Sequence, residues 1–188
     1  MKTLIKNGLL IDPANQVQAY LNLILEDGKV VAVTEEEPEA DRVIDATGKV
    51  VAPGFIDIHM HEDPVKDGKI EFCIFDAMLR MGVTTAVGGN CGINVYDPVK
   101  YLDMVEKDGA PVNVMLFAGH QYFREAAGAL DKYAPVTKEQ QEHMKKGLEK
   151  ALEAGCVGIS YGLRYVPGTG RDEFLDTASC CEKEHRMI

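Results

Sequence analysis

Short apolar segments alternate with amphipathic segments over residues 51–188 of this 188-residue chain. The apolar segments predict strands at 54–59, 83–87, 112–117 and 156–161, and the amphipathic segments predict helices at 72–81, 98–107, 138–154 and from 172 to about 185. Strands that alternate with helices in this way form a parallel sheet. A complete barrel of eight such units needs about 250 residues. The four units can therefore form an open α/β sheet or the first half of a barrel.

The helix predicted at 138–154 carries the most complete set of local signals. Thr137 and Gln140 have the T-x-x-Q spacing of a capping box. Gly155 supplies a stop at the other end. At a period of 3.6 residues, one face carries Met144, Leu148, Ala151 and Leu152. This face is predicted to pack into the core.

Residues 1–50 have a different pattern, with short apolar runs joined by turn signals. These signals are Asn7-Gly8, Glu26-Asp27-Gly28-Lys29 and Thr47-Gly48. The segment is predicted to be a small β unit, too short to close a core of its own. We therefore expect two regions: part of a small β domain at 1–50 and an α/β region at 51–188.

Composition excludes several classes of protein. The chain carries 20 basic and 30 acidic side chains, a formal net charge of −10, which argues against nucleic acid and anionic membrane surfaces as partners. No apolar run approaches the roughly 18–20 residues of a membrane span. The five cysteines show no disulfide spacing and the N-terminus does not resemble a signal peptide, so we expect free thiols in a cytoplasmic protein.

The segment Asp57-Ile58-His59-Met60-His61 is the clearest candidate for chemistry. Alternate residues of a strand share a face, so His59 and His61 would lie about 7 Å apart on one side. At the carboxyl end of a parallel strand, two imidazoles can converge on one divalent cation. The alternative is a surface strand that carries two histidines by chance.

Cys91 follows the second predicted strand, within Gly-Gly-Asn-Cys-Gly. The carboxyl ends of parallel strands meet at one edge, so Cys91 would lie near His59 and His61. A thiolate is a good zinc ligand, but most free cysteines are small buried apolar residues. On spacing alone, both interpretations stay open.

Two further strand ends carry polar side chains. His120 closes the third predicted strand, where it could be a ligand, a substrate contact or an ordinary loop histidine. The fourth strand runs into Ser160 and Tyr161, followed by Arg164 and Tyr165 in a glycine-rich segment. These side chains could line a pocket, and an arginine there could bind a carboxylate. The alternative is a surface loop.

These residues together resemble the metal-dependent amidohydrolase superfamily. Residues 49–61 (KVVAPGFIDIHMH), preceded by 44–48 (IDATG), carry the superfamily pattern. Residues 88–92 (GGNCG), 119–120 (GH) and 158–163 (GISYGL) extend the resemblance to the N-acyl-D-amino-acid deacylase, or D-aminoacylase, group. The resemblance covers the chain from its first strand to its last helix.

The resemblance implies the first four strand–helix units of a (β/α)8 TIM-type barrel, preceded by part of a small β-sandwich domain. It implies that His59, His61 and Cys91 bind zinc, with one or two ions in a complete enzyme. The substrate would be a small N-acyl amino acid, whose C–N bond is hydrolysed. Asp63, His120, Ser160, Tyr161, Arg164 and Tyr165 are the expected substrate-binding residues. The family's general-base Asp would lie beyond Ile188, so no catalytic residue is predicted within this chain.

Two alternatives to that function remain open. One is another amidohydrolase, of the dihydroorotase or isoaspartyl dipeptidase type, although Cys91 and the absence of a lysine at the fourth strand end count against both. The other is a non-catalytic metal-binding fragment or subunit. A half-barrel would expose strand edges and apolar surface, so we expect the 188-residue chain to be inactive alone and to self-associate.

Overall fold

The computed structural model, which describes residues 1–183, divides after Gly54 into two units, Met1–Gly54 and Phe55–Ile188. We call them the β unit and the α/β unit. The predicted division lies four residues earlier, between residues 50 and 51. The four residues between the two positions include Pro53 and Gly54, which belong to no strand.

The β unit consists of two sheets. Its strands are β1 (Lys2–Lys6), β2 (Leu9–Asp12), β3 (Val17–Tyr20), β4 (Asn22–Glu26), β5 (Lys29–Thr34), β6 (Arg42–Asp45) and β7 (Val50–Val51). One sheet has the order β5-β4-β1-β6 and the other β3-β2-β7. Asp27 and Gly28, both with positive φ, close the β4–β5 hairpin as the sequence predicts. Strand β3 was not predicted, and its pairing with β2 rather than a marked apolar pattern defines it.

An apolar cavity of about 510 Å³ lies within the β unit. Both sheets contribute to its lining, through Ile5, Leu23, Leu25, Val30 and Val33 from one and Leu10, Val17 and Val51 from the other. The buried apolar side chains of this unit are few: Leu4, Leu10, Ile24 and Ala46.

The α/β unit is built on a parallel sheet of four strands in sequential order. These are β8 (Phe55–Asp57), β11 (Val83–Gly88), β12 (Asn113–Gly119) and β13 (Gly158–Ser160). A small hairpin, β9 (Val65–Lys66) and β10 (Lys69–Ile70), follows β8 and was not predicted. The predicted parallel sheet is confirmed, since each neighbouring pair of the four strands is parallel.

Five helices complete the described part of this unit: α1 (Ile74–Arg80), α2 (Pro98–Asp108), α3 (His120–Ala126), α4 (Lys138–Glu153) and α5 (Arg171–Lys183). In α4 the predicted capping box is present: Gln140 N–H donates to Thr137 Oγ1, and Thr137 N–H donates to Gln140 Oε1. The predicted face of α4 is buried. The last residues of the helix predicted to reach about 185 lie outside the described residues.

Two predicted strands are longer than the strands observed. The strand predicted at 54–59 ends at Asp57, and the one predicted at 156–161 spans only Gly158–Ser160. Helix α3 begins at His120, directly after β12, where no helix was predicted. His120 is therefore neither a strand residue nor a loop residue. Its side chain points into the protein from the first turn of a helix.

The core of the α/β unit lies where helices pack on the sheet. It includes Phe75 from α1, Leu116 from β12, Met144 and Leu148 from α4, and Ile159 from β13, each with almost no exposed surface. Burying a side chain of this size contributes about 1.5–3 kcal/mol. This packing fixes the carboxyl edge of the sheet, where the strand-end residues stand.

The structure also bears on the membrane and disulfide expectations. Within residues 1–183, no helix has both the length and the apolar character needed to cross a membrane. None of the five cysteines, which all lie in this part of the chain, forms a disulfide.

Candidate metal centre

His59 and His61 stand in the turn that follows β8. The Asp57 carboxylate accepts the backbone N–H of His59 at 3.0 Å, which ends the strand and turns the chain. Both imidazoles are exposed, whereas Met60 between them is buried. Their ring centroids lie 6.4 Å apart. The prediction that His59 lies on the strand is wrong, but the alternation that puts both imidazoles on one side persists beyond the strand end.

Cys91 occupies a tight turn after β11. A short 3-10 turn spans Asn90–Gly92, and Cys91 within it adopts φ = +60°. Gly89, just before it, also has positive φ, and a Cβ at that position would collide with the carbonyl oxygen of Phe117. Only glycine fits such a position. The sharp turn brings the half-buried Cys91 side chain back to the sheet edge.

The three side chains converge. Their candidate ligand atoms all lie within 4.8 Å of one another, and His59 Nε2 is 3.3 Å from Cys91 Sγ. Two ligands in a tetrahedral zinc site, one nitrogen and one sulfur, lie about 3.5 Å apart given usual bond lengths. Nitrogen and sulfur donors of this kind are those that zinc prefers. The prediction that these residues lie close enough to share a cation is confirmed.

A cavity of about 290 Å³ opens beside these ligand atoms. It is lined by His59, Asn90, Cys91, Phe117, Ile159, Ser160 and Tyr161. These residues come from the ends of β8, β11, β12 and β13, so all four strands contribute to the cavity. A pocket at the carboxyl ends of parallel strands is the usual place for a ligand in this class of fold.

Among the predicted substrate-binding residues, Ser160 and Tyr161 line this cavity. The Ser160 hydroxyl already bonds to the backbone of the Cys91 turn. The Tyr161 hydroxyl lies 2.8 Å from Thr177 Oγ1, and burial raises its pKa well above the usual value. Arg164 and Tyr165 are exposed residues of the following segment and are not among the residues that line the cavity.

Asp63 has a different environment from the cavity residues. Its side chain is fully buried and accepts backbone N–H groups from Cys73, Ile74 and Phe75 at 3.1, 2.7 and 2.9 Å. These are donors of the first turn of α1, which have no partner within the helix. The visible contacts of Asp63 are therefore those of a helix cap.

His120 belongs to a buried ionic cluster. Its Nε2 lies 2.9 Å from Glu173 Oε1, and Arg124 Nη1 donates to both oxygens of Glu173 at 2.6 and 2.8 Å. The second Arg124 nitrogen, Nη2, donates to the carbonyls of Asp131 and Ala134. The cluster joins α3 to α5. This cluster is not predictable from local sequence, because Glu173 lies 53 residues from His120.

Asn90 and Asn94 also have roles that the sequence analysis did not assign. The Asn94 amide donates to Glu62 Oε1 at 2.7 Å and accepts the N–H of Gly119 at 2.7 Å, linking three strand ends. The Asn90 amide donates to carbonyls beside His59. Asn90 lies in the same GGNCG motif as Cys91. A buried amide next to a candidate ligand was the available signal.

Comparisons with known proteins agree with this fold. A model of the Amidohydrolase family matches residues 42–166. N-acyl-D-glutamate deacylase of Alcaligenes xylosoxydans xylosoxydans is 32% identical over 187 residues, covering 87% of this chain and 38% of the deacylase. Dihydroorotase of Elusimicrobium minutum (strain Pei191) is 42% identical over 88 residues, covering 45% of this chain and 20% of the dihydroorotase.

A deacylase is also found among the solved structures that this chain matches. The crystal structure of N-acyl-D-glutamate deacylase from Bordetella bronchiseptica, complexed with zinc and a phosphonate inhibitor, matches with a TM-score of 0.83 at 30% identity. The match covers 98% of this chain and 44% of that chain. This chain thus spans about two fifths of the length of the deacylases that it matches.

A parallel α/β sheet with two imidazoles and a thiol at its carboxyl edge is an arrangement that can hold a metal ion. The chain belongs to the amidohydrolase family. Its predicted similarity to N-acyl-D-amino-acid deacylases is confirmed, and the similarity concerns the N-terminal portion of those proteins.

Proposed function

We propose that this chain supplies the zinc ligands His59, His61 and Cys91 of an amidohydrolase that cleaves the C–N bond of a small N-acyl-D-amino acid. The convergence of the three ligand atoms within 4.8 Å carries this proposal. The four-stranded parallel sheet would be the first half of a (β/α)8 barrel, and the β unit would be part of a small β-sandwich domain.

The chemistry of the site follows from its donor set. Zinc, when bound, polarises the substrate carbonyl and lowers the pKa of water toward 7. To act as ligands, His59 and His61 must be neutral and Cys91 must be a thiolate, so metal binding depends on pH and releases protons. The Asp57 carboxylate holds the backbone of His59 and thereby helps to fix its imidazole at the sheet edge.

The substrate would occupy the cavity beside the ligands. Its volume of about 290 Å³ lies near the lower end of the usual range for small-molecule sites. Ser160 and Tyr161 line this cavity, and Arg164 and Tyr165 follow them in an exposed segment. We propose that Tyr161 contacts the acyl group or amino acid and that Arg164 and Tyr165 contribute to binding the substrate carboxylate.

A second candidate is a dihydroorotase-like activity. The 42% identity to a dihydroorotase over 88 residues favours it, although that match covers less of the chain than the deacylase match. Cys91 in the ligand cluster favours the deacylase, since the resemblance to that group includes the GGNCG segment. A non-catalytic metal-binding role for the 188-residue chain is the third possibility that the experiment addresses.

A chimera tests the proposal. Residues 1–183 of this chain would replace the matching segment of the Alcaligenes N-acyl-D-glutamate deacylase, and hydrolysis of N-acetyl-D-glutamate and of dihydroorotate would be measured. We expect the chimera to hydrolyse N-acetyl-D-glutamate and the 188-residue chain alone to hydrolyse neither compound. Hydrolysis of dihydroorotate only would favour the second candidate, and a folded chimera without either activity would favour the third.

Matched variants of the chimera test the ligand assignment. His59→Ala and Cys91→Ser should abolish both hydrolysis and tight zinc binding. His143→Ala, at an exposed position on α4, and Cys73→Ser, at an exposed position before α1, should change neither. Full zinc binding by His59→Ala and Cys91→Ser would contradict the proposed centre.

A further inference from the structure

Two polar side chains, which are not themselves candidate ligands, hold the Cys91 turn by hydrogen bonds from opposite sides. One is Asn90, in the turn itself, and the other is Ser160, at the end of β13. The contacts of both side chains lie next to the ligand cluster.

Asn90 joins the Cys91 turn to the segment that carries His59. Its amide nitrogen Nδ2 lies 2.7 Å from the carbonyl oxygen of Val87, 3.3 Å from that of Met60 and 3.4 Å from that of Ile58. Ile58 and Met60 flank His59, and Asn90 itself is buried. The amide N–H groups of Asn90 therefore hold the backbone on both sides of His59. They also hold the end of β11, which comes before Cys91.

Ser160 closes the Cys91 turn from the opposite side. Its hydroxyl donates to the carbonyl of Gly89 and accepts the N–H of Gly92 at 3.0 Å. These two groups stand at the two ends of the turn. A Cβ at Gly162 would collide with the carbonyl oxygen of Cys91, so the end of β13 and the turn are in close contact.

The conformation that these contacts hold is an uncommon one. Cys91 adopts φ = +60°, a region that L-residues other than glycine rarely occupy. Such a conformation persists only where surrounding contacts determine it, and it often occurs at functional sites. Without the contacts of Asn90 and Ser160, the turn could relax and carry Sγ away from His59 Nε2.

We infer that Asn90 and Ser160 are positioning residues that hold the thiol of Cys91 and the imidazole of His59 at metal-binding distance before any metal arrives. This inference rests on the proposed function, because it takes the three converging residues as the metal ligands. Groups that orient ligands without touching the metal typically change metal affinity by roughly 10- to 100-fold when removed.

The test compares two pairs of variants of the full 188-residue chain. Asn90→Ala and Ser160→Ala remove the proposed contacts. Asn113→Ala is the matched control for the first, because Asn113 Nδ2 also bonds a carbonyl of a neighbouring strand, at 2.9 Å, but at the opposite end of β12. Ser179→Ala is the control for the second, because Ser179 Oγ donates to Asp176 O within α5.

Three quantities would be measured for each variant. The zinc dissociation constant would be obtained by competition with a chelating indicator. The near-ultraviolet charge-transfer absorption of the thiolate would be recorded with Co²⁺ bound, and the unfolding temperature would be measured without metal. We expect Asn90→Ala and Ser160→Ala to weaken zinc binding by roughly 10- to 100-fold and to alter the Co²⁺ absorption. The two controls should stay within about twofold. A merely structural role would lower the unfolding temperature and leave zinc affinity of the folded chain unchanged.

The outcomes separate this inference from the proposed function. Unchanged zinc affinity in Asn90→Ala and Ser160→Ala, with affinity lost in His59→Ala and Cys91→Ser, overturns the positioning role alone. Unchanged affinity in His59→Ala and Cys91→Ser overturns the metal centre itself. If Asn90→Ala does not fold, Asn90→Asp replaces it, because aspartate keeps the shape of the side chain and lacks the N–H donors. If neither Asn90 variant folds, Ser160→Ala, at a half-buried site, tests the positioning role.

Discussion

His59 and Cys91 lie 32 residues apart in the sequence, yet His59 Nε2 and Cys91 Sγ are separated by 3.3 Å. Each stands in the turn directly after one of two neighbouring parallel strands, β8 and β11. The pairing of Asp57 with Ala86 sets how far each strand extends toward the common edge. The register of one strand pair therefore determines whether the two ligand atoms meet.

The accessibility of the cysteines gives the first prediction. Iodoacetamide should modify Cys73 and Cys91 in the folded chain, whereas the buried Cys156, Cys180 and Cys181 should react only after denaturation. Zinc should protect Cys91, because a coordinated thiolate is no longer a free nucleophile, and should leave the labelling of Cys73 unchanged. Peptide mass mapping with and without zinc would measure this. Equal protection of Cys73 and Cys91 would argue against a specific centre at Cys91.

The pH dependence of Cys73 labelling is a second prediction. The hydrogen bond from its thiol to Asp63, together with partial desolvation, raises the pKa of Cys73 above the usual thiol value. The thiolate is the reactive form, so a raised pKa lowers its fraction at neutral pH. The rate of Cys73 labelling should therefore reach its half-maximum at a higher pH than that of a free thiol. Asp63→Asn should move this midpoint downward.

Asp63 itself gives a prediction about stability. Asp63→Ala removes a buried carboxylate that accepts three backbone N–H groups at the start of α1. A hydrogen bond to a charged group contributes about 1.5–3 kcal/mol, so the loss of all three should lower the free energy of unfolding by at least about 2–3 kcal/mol. Thr137→Ala, which removes the exposed cap of α4, should cost only about 1 kcal/mol. Urea unfolding would compare the two. An altered KM of the chimera that carries Asp63→Ala, with unchanged stability, would instead support the substrate-binding prediction for Asp63.

The parts of this structure that could be predicted depend on short-range rules. The Thr137–Gln140 cap and the Asp27-Gly28 turn need only a few neighbouring residues, and both formed as expected. The meeting of His59 with Cys91 required one additional rule, that parallel strands end at a common edge. Little information beyond local pattern and strand order was needed for the ligand cluster.

The parts that could not be predicted depend on distant partners. Asp63 caps a helix that begins eleven residues later, and Glu173 reaches back to Arg124 across 49 residues. His120 resembled a strand-end residue available to a substrate, but its partner on α5 draws it into the interior. The sequence contains each of these residues, but only the packing of the helices determines which of them meet.

The buried cluster of Arg124 and Glu173 gives a prediction of larger effect. Arg124 has 1% and Glu173 2% of the side chain exposed, so Arg124→Ala leaves a carboxylate buried with reduced compensation. Such a change costs about 3–5 kcal/mol. Lys145→Ala removes a partly exposed pair with Glu142 on α4 and should cost less than about 1 kcal/mol. Thermal or urea unfolding of the two variants measures the difference, and similar values would show that the buried cluster is not a major contributor.

Glu173 also predicts a dependence on pH. Burial alone raises the pKa of this carboxyl, but hydrogen bonds from His120 and Arg124 outweigh burial and leave the pKa below its usual value. A carboxyl with a lowered folded-state pKa stabilises the fold above the unfolded-state pKa of about 4.3, and this stabilisation is lost as the pH falls through the folded-state value. The unfolding temperature of the native chain should drop as the pH falls below about 4.3, and Glu173→Gln should show a shallower drop over the same range. Parallel slopes for the two proteins would contradict this assignment.

Self-association of the 188-residue chain is the last prediction. Strand β8 lies at one edge of the parallel sheet. Phe55 and Ile56 on this strand expose 68% and 64% of their surface, and Ile58 just after it exposes 72%. An unpaired strand edge with exposed apolar side chains pairs readily with another chain, and a charge placed on the edge prevents this. Light scattering should give a mass above the monomer's 20.6 kDa for the native chain and a lower mass for Ile56→Lys. Leu130→Lys, which removes an equally exposed side chain outside the strands, should not change the mass. A single species of 20.6 kDa with a sharp cooperative unfolding transition would show that the chain is a stable monomer and that this edge does not pair with another chain.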